Sequence, residues 1–427
     1  MNTTTKNYDS YIKILKHELV PSMGCTEPVA IAYAASVARE VLGNMPQRIN
    51  ILVSNNIIKN AKSVVVPNTN GLKGIKAAVL AGVLAGDAHR ELEVIAGVSE
   101  EQKDRIREAM DSREVEVGSM ESPYPLDIII ELSDDKNRVK VHIREKHANI
   151  TEVFKNDAPV DGWVKQSDKA GVEYSELDYS CLSLKEIIEF ADTVDINDVK
   201  DVLDRQILYN SRIAEEGLVT DYGANLGKTI LKSNEEGIKA RAVAKAAAGS
   251  DARMSGCELP VIINSGSGNQ GITVSVPVIE YAKELQVCQD MLYRALVVSN
   301  LTSIHTKHGI GTLSAYCGAV TAGCAAGCGI AYLYGGKYQE LAHTLVNSLA
   351  IVSGIICDGA KPSCAGKIAS SIEAGILGYH MYVNGQEFKN GDGIVDRDVE
   401  RTIQNVQHLG KEGMKQTDCE IVKIMIK

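Results

Sequence analysis

The spacing of hydrophobic positions changes near residue 180. Before that point, short Val- and Ile-rich runs predict strands, namely INILVS, VEVG, LDIIIELS and RVKVHIRE. The last two runs are joined by the polar turn DDKN, and EEQKDRIREAMDS has the spacing of an amphipathic surface helix. We therefore expect a mixed α/β lobe in this part of the chain.

From residue 183 onward, helical patterns replace the strand patterns. The predicted helices are SLKEIIEFADTV, INDVKDVLDRQILYNSRIAEEGL, NEEGIKARAVAKAAAGSDARM, a single long helix over 276–309, and KYQELAHTLVNSLAIVSGII. Their Gly and Ala residues permit close helix contacts. The expected fold class is α+β, with a mostly helical C-terminal domain built from small-residue helices and a mixed α/β lobe in the N-terminal half.

This reading divides the chain into three segments. Residues 1–45 contain an opening helix at about 7–20 and a small apolar helix at 29–43, and we expect this segment to pack on the helical domain. Residues 46–182 form the α/β lobe, as an insertion, and residues 183–427 form the all-helical catalytic domain with most of the cysteines. The boundary near 180 is soft by about ten residues.

Residues 309–336, GIGTLSAYCGAVTAGCAAGCGIAYLYGG, carry no charged side chain. They consist mostly of Gly, Ala, Ser, Thr and Cys, so transfer into lipid would gain little free energy, and no second span follows. We expect a buried helix packed through small residues, and no membrane association.

Composition narrows the choice of partners. The chain has 427 residues, 45 basic and 55 acidic, for a formal charge of -10. No block of like charges resembles a nucleic-acid arm or a polybasic membrane patch, so we expect no nucleic-acid partner. The N-terminus has no signal-peptide pattern, which predicts a cytoplasmic protein whose ten cysteines are buried, catalytic or metal-bound rather than paired. The small-residue helices allow a homodimer.

Five of the cysteines lie between residues 317 and 364. The segment ICDGAKPSCAGK is rich in turn-forming residues, and loop cysteines of this kind suit an iron–sulfur cluster or a zinc site, although the chain has no CxxC pair. Cys324 and Cys328 share one face of an apolar helix and are expected to be core residues. Cys317 lies two turns earlier on that face, and spacing alone allows either role.

Three polar segments are further candidates. INSGSGNQGI, residues 263–272, could present N–H groups and polar side chains to an anion, but it lacks the P-loop and GxGxxG patterns, so a generic turn fits as well. In HTKHGIG, surface or capping histidines are the simpler reading. In PSMGCTEP, Thr26 is the expected N-cap of a helix, whose dipole would favour a thiolate at Cys25 while Glu27 opposes it.

Four of these stretches together carry a family resemblance. PSMGCTEPVAIAYA, SGSGNQGI, HGIGTLSAYCGAVTAGCAAGCG and ICDGAKPSCAGK resemble the L-cysteine desulfidase family, relatives of the iron–sulfur L-serine dehydratases, from about residue 7 to the end. The resemblance implies a 4Fe–4S cluster held by Cys317, Cys357 and Cys364, one iron open to substrate, and no pyridoxal phosphate. In serine dehydratases the last two ligands are further apart, so this assignment follows the desulfidase branch.

The implied reaction is α,β-elimination on L-cysteine, with Cys25 as the thiolate base and a small amino-acid substrate bound to the open iron. The expected substrate-binding residues are polar or charged and lie near the motifs: Glu27, Ser265, Ser267, Asn269, Gln270, His308 and Lys361, with Lys307 as a further candidate.

Three alternatives stay open. The same framework could dehydrate L-serine, because both reactions lose a β-substituent after α-deprotonation. An iron–sulfur redox sensor would need neither Cys25 nor the SGSGNQG segment. A pyridoxal phosphate lyase would need a Schiff-base lysine, and no lysine stands in a distinctive context.

Overall fold

The computed structural model describes residues 7–164, 177–233, 237–311 and 313–426. It has the predicted α+β fold, with a mixed sheet in the N-terminal half and mostly helices thereafter. The part of the predicted helix NEEGIKARAVAKAAAGSDARM that covers 234–236 lies outside the described residues.

The described helices are α1 (Tyr8–Glu18), α2 (Thr26–Leu42), α3 (Asn55–Ala61), α4 (Gly74–Ala85), α5 (Glu100–Ser112), α6 (Leu184–Thr193), α7 (Ile196–Val219), α8 (Leu226–Lys232), α9 (Ile238–Met254), α10 (Gly268–Glu284), α11 (Gln289–His308), α12 (Gly318–Leu333), α13 (Tyr338–Val352), α14 (Cys364–Val383), α15 (Val399–His408) and α16 (Lys415–Ile426). The strands are β1 (Pro21–Met23), β2 (Arg48–Ser54), β3 (Glu116–Met120), β4 (Asp127–Ser133), β5 (Arg138–Arg144), β6 (Ile150–Lys155), β7 (Ala158–Pro159) and β8 (Pro260–Ile262).

The main sheet has the order β3-β2-β4-β5-β6-β7 among the described residues, with β2 and β3 parallel and the other pairs antiparallel. Alternate residues of β4, including Ile128 and Ile130, are buried on one face. The β4–β5 hairpin confirms the predicted DDKN turn, where Asp134 accepts backbone hydrogen bonds from Lys136 and Asn137 at 2.8 and 2.7 Å.

The N-terminal segment contacts both halves of the chain. Helix α1 contacts α7 and α11, and β1 pairs with β8 in a separate two-stranded sheet, so these two elements reach the helical half. Helix α2, expected to pack there too, instead contacts α4 and strands β4 and β5. The boundaries at residues 45 and 182 stay predictions.

The long helix predicted over 276–309 is wrong, because two helices occupy this stretch. Helix α10 starts earlier, at Gly268, and ends at Glu284, and α11 begins at Gln289. Gln286 in the connection has a φ of +51°, a left-handed conformation that a continuing helix does not allow.

The uncharged stretch forms the shorter helix α12, which is buried as predicted. Its glycines touch the backbone of α14: a Cβ on Gly327 would lie 2.5 Å from the carbonyl oxygen of Gly375. Cys324 and Cys328 are fully buried in this helix, which confirms them as core residues. Among the described residues, no helix is long and apolar enough to cross a membrane.

Candidate active site

A cavity of about 100 Å³ lies where the amino ends of helices α2, α10, α12 and α14 meet. Its lining includes Cys25, Ser267 and Cys317, the N-cap residues of α2, α10 and α12, and Cys364, the first residue of α14. None of these three N-cap side chains caps its own helix. Free N–H groups and helix dipoles therefore favour negative charge in the cavity.

The turn before α2 places Cys25 in this cavity. Gly24 has a φ of +56°, and a Cβ there would lie 2.7 Å from a carbon of Pro67, so only glycine fits. The helix starts one residue earlier than expected, with Cys25 rather than Thr26 as the N-cap. Cys25 is 2% exposed, and its Sγ donates a hydrogen bond to Oε2 of Glu27 at 2.9 Å.

The protonation state of Cys25 contradicts the expectation of a resting thiolate. Burial raises the pKa of the thiol well above its ordinary value, and the neighbouring Glu27 carboxylate raises it further, while Arg253 offsets only part of this. The positive end of α2 does not outweigh these effects. These effects favour the protonated thiol at Cys25.

Glu27 is the acceptor at the centre of a buried polar cluster. Its Oε1 accepts a hydrogen bond from Asn60 at 3.1 Å, and its Oε2 accepts one from Thr26 at 3.2 Å. Nε2 of His147, which has no hydrogen-bond partner, lies 3.8 Å from Oε1. Burial alone would raise the pKa of Glu27, but His147 and Cys25 outweigh it and lower the pKa to about 2.

The SGSGNQG segment is part turn and part helix. Ser265 and Gly266 have positive φ values of 48° and 76°, and the first turn of α10 follows from Gly268. The Thr26 hydroxyl donates to the Gly266 carbonyl at 3.1 Å, which ties this turn to α2.

All four polar residues predicted in this segment line the cavity: Ser265, Ser267, Asn269 and Gln270. Oδ1 of Asn269 and Oε1 of Gln270 are buried and have no hydrogen-bond partner. Such atoms are costly to bury unless a ligand or water satisfies them.

The three predicted cluster ligands also meet at the cavity. The Cys317 amide donates to the Ile355 carbonyl at 3.2 Å, and the Cys357 amide donates to the Ala315 carbonyl at 2.7 Å, so these bonds hold the two cysteines side by side. Cys364 was expected in the same loop as Cys357 but begins α14, where the helix start fixes its position. Burial, then Cys357 and Cys364, raise the pKa of Cys317 to about 12.

This donor set fits a cluster better than a single ion. No group of three His, Cys, Asp or Glu residues in the described part of the chain has the arrangement that one metal ion needs. In a 4Fe–4S cluster each thiolate binds a different iron, so the ligand sulfur atoms stand further apart than around zinc. Three thiols line this cavity, two of them at the amino ends of α12 and α14, and thiolates are the ligands that an iron–sulfur cluster takes.

Comparisons with known proteins identify the family of the chain. The sequence profile of the serine dehydratase alpha chain family matches residues 89–423. The chain belongs to this family. The UPF0597 protein of Desulfitobacterium hafniense is 56% identical over 426 residues, which cover 100% of this chain and 98% of the relative. The UPF0597 proteins of Lachnoclostridium phytofermentans and Finegoldia magna are 49% and 46% identical, and the alignments cover 98% of this chain and 100% and 99% of the relatives.

Membership in the serine dehydratase alpha-chain family confirms the broader part of the resemblance seen in the sequence. The narrower desulfidase assignment stays a prediction, because the names of the relatives give no substrate.

Two predicted substrate-binding residues lie outside the cavity lining. The His308 ring stacks on Tyr179, with centroids 4.2 Å apart, and Lys361 pairs with Asp358 at 2.6 Å. Lys307, in contrast, lines the cavity and donates to the Gly311 carbonyl. Burial lowers the pKa of Lys307 to about 8.

Sequence reasoning missed several charged or polar residues that line the cavity, among them Asn60, His147 and Arg253. They come from α3, from the segment after β5 and from the end of α9, and no motif or spacing marks them. They can be identified only from the folded structure, in which they line the cavity.

Proposed function

We propose that this protein is an iron–sulfur dependent lyase that converts L-cysteine into pyruvate, ammonia and hydrogen sulfide by α,β-elimination. One observation carries the proposal. Cys317, Cys357 and Cys364 share a single cavity with a fourth thiol, Cys25, whose Sγ donates a hydrogen bond to the Glu27 carboxylate. Family membership supports a serine dehydratase-like iron–sulfur lyase. L-Cysteine as the substrate is our addition.

Cys317, Cys357 and Cys364 would hold the cluster. When bound, it supplies a Lewis-acidic iron that eases departure of the β-substituent. The amino ends of α12 and α14 and the buried Lys307 would compensate the negative charge that the three thiolates carry.

Cys25 is the proposed acceptor of the substrate's α-proton. Its raised pKa makes the thiolate scarce but strongly basic, which suits removal of a weakly acidic carbon-bound proton. Glu27 accepts the hydrogen bond of the Cys25 thiol, and His147 lies beyond Glu27. Glu27, whose pKa is about 2, would position the thiol by accepting its hydrogen bond, and the thiol proton would pass to solvent water before the α-proton moves to Sγ.

Polar atoms around the cavity would hold the substrate. The unpartnered side-chain oxygens of Asn269 and Gln270 are acceptors suited to an ammonium group, and Glu27 adds a negative charge to the same cavity. Ser265 and Ser267 offer hydroxyl groups at the amino end of α10.

Dehydration of L-serine is the second candidate, and the family match favours it. The two reactions share α-deprotonation and the aminoacrylate product, which hydrolyses to pyruvate and ammonia. They differ in the leaving group, and the cavity's residues would serve both.

An anaerobic assay tests the proposal. Pyruvate formation is measured from L-cysteine, with sulfide release, and separately from L-serine, before and after exposure to air. We expect activity with L-cysteine that falls in parallel with iron content. Activity that survives air and a chelator would contradict the mechanism, and faster turnover of L-serine would establish the second candidate.

Variants separate the enzyme from the redox sensor and from a pyridoxal phosphate lyase. We expect Cys25→Ala to keep its iron and lose pyruvate formation, whereas the core variant Cys324→Ala keeps both. A Cys25→Ala protein that retains its cluster and its full function would favour the sensor. Bound pyridoxal in the purified protein would favour the other lyase.

A further inference from the structure

Arg253 is a buried cation that forms no ion pair with a carboxylate of the described residues. It is 2% exposed, lines the cavity, and its Nε has no hydrogen-bond partner. Within the described residues no carboxylate oxygen lies within ion-pair distance of its guanidinium. Lys59 and Lys103, which are buried to a similar degree, each pair with a carboxylate.

Burying an unpaired charge costs several kcal/mol even after the protein relaxes. Burial accordingly lowers the pKa of Arg253, and Cys25, Glu27 and Cys364 offset only part of that effect. A residue kept in this position at such a cost is well placed to meet an anion that enters the cavity.

Gly268 and the first turn of α10 determine where the guanidinium of Arg253 lies. A Cβ on Gly268 would lie 2.3 Å from Nε of Arg253, so the guanidinium crosses the first residue of α10 where only a glycine leaves room. The free N–H groups of this first turn lie beside it, because Ser267 does not cap the helix. A planar two-pronged donor next to backbone N–H groups matches a carboxylate.

We propose that Arg253, with the first turn of α10, binds the α-carboxylate of the amino-acid substrate. The identity of that substrate rests on the proposed function, but the carboxylate site does not depend on turnover. Glu27 at the amino end of α2 lines the same cavity, so a zwitterion meets both a cation and an anion there; Lys307 is a second cation of the lining and interacts with Cys317 and Cys357. An amine without a carboxylate would leave Arg253 unpaired.

Equilibrium dialysis with the anaerobic holoprotein tests this site. The probes are L-alanine, which has both charged groups but no leaving group, and ethylamine, which lacks the carboxylate. We expect Arg253→Gln to weaken L-alanine binding about 100-fold, the loss typical of truncating one partner of a buried charge pair, and to leave ethylamine binding unchanged. Arg253→Lys should restore part of the affinity. Arg241→Gln, on the same helix but paired with Glu284 outside the cavity, should bind both probes normally.

A second variant and two structural measurements keep the test independent of misfolding. Gly268→Ala keeps the arginine but displaces it, and we expect L-alanine binding to weaken while iron content stays near wild type; the urea midpoint should fall as well, because the added Cβ would also lie 2.6 Å from Val261. The proposal would be overturned if the wild type did not bind L-alanine or if Arg253→Gln bound it with unchanged affinity. Loss of iron from Arg253→Gln would also overturn it, because Arg253 would then be a counter-ion of the cluster. If the wild type makes no pyruvate, the proposed function fails, but Arg253-dependent L-alanine binding still supports the carboxylate site.

Discussion

Replacing Glu27 with Gln removes one negative charge from the cavity and keeps the shape of the side chain. The carboxylate now accepts hydrogen bonds from Asn60, Thr26 and Cys25, at 3.1, 3.2 and 2.9 Å. A Gln amide can keep the bond from Asn60 through its oxygen, while its nitrogen must find an acceptor in the Thr26 hydroxyl or the Cys25 sulfur.

The expected effects on stability and on catalysis differ in size. A hydrogen bond to a charged group contributes about 1.5–3 kcal/mol and a neutral one about 1, so weakening the bonds around Glu27 should destabilise the fold by about 2 kcal/mol. Catalysis should fall more, by about 10²-fold in kcat, because the Cys25 sulfur loses the charge-assisted hydrogen bond that positions it. The pKa of Cys25 should fall at the same time, since the Glu27 charge helps to raise it.

Two assays separate these opposite changes. The pH dependence of Cys25 alkylation by iodoacetamide, read from the mass of its peptide, should shift to lower pH in Glu27→Gln, while pyruvate formation drops. Glu280→Gln is the matched control, because Glu280 is equally buried and lies outside the cavity lining. An unchanged or upward alkylation profile, or a kcat near that of the wild type, would refute the role given to Glu27.

Three further predictions concern the scaffold. Burial raises the pKa of Glu280, but its lysine partners outweigh burial and lower the pKa below the ordinary value. The ionised Glu280 therefore stabilises the fold above the ordinary glutamate pKa, and this contribution is lost as the pH falls through the pKa of the folded state. Urea midpoints measured at decreasing pH should fall less steeply in Glu280→Gln than in the wild type, and parallel curves would contradict this. In Gly271→Ala, a Cβ would lie 1.9 Å from the Ile262 carbonyl oxygen, so we expect a loss of about 3 kcal/mol in urea unfolding, and an unchanged midpoint would show that the close contact is absent. Lys59→Met leaves Asp418 without its buried partner, which should cost about 3 kcal/mol and speed amide exchange in α16; unaltered exchange there would exclude the ion pair as the tie of this helix.

The broad organisation of the fold can be predicted from the sequence because it depends on local patterns of hydrophobic and turn-forming residues. The alternation in β4 and the DDKN turn specify a hairpin, and the small-residue composition of α12 specifies close helix packing. The three cysteines proposed as ligands follow from the family resemblance, and the fold brings them to one cavity from separate segments.

The pKa of Cys25 and several cavity residues cannot be predicted from the sequence, because they depend on contacts between residues far apart in the chain. The position of Cys25 at a helix start suggests a lowered pKa, but the environment supplied by burial and Glu27 reverses the sign. Arg253 and His147 carry no local signature, since each matters only through what faces it across the cavity. His308 and Lys361 belong to predicted motifs, yet their side chains stack and pair elsewhere.

The same limit applies to helix boundaries. The predicted helix over 276–309 begins at Val276, whereas α10 begins at Gly268, so the run TVSVPVI lies inside α10. Tertiary packing there overrides the propensity of single residues.

Iron and acid-labile sulfide analysis of the anaerobically purified protein tests the central claim most directly. The account predicts about four irons and four sulfides per chain, loss of both in Cys317→Ser, Cys357→Ser and Cys364→Ser, and retention of both in Cys25→Ser and in the core variant Cys328→Ser. A wild type without iron under these conditions, or a cluster that depends on Cys25 or Cys328 instead of those three cysteines, would contradict it.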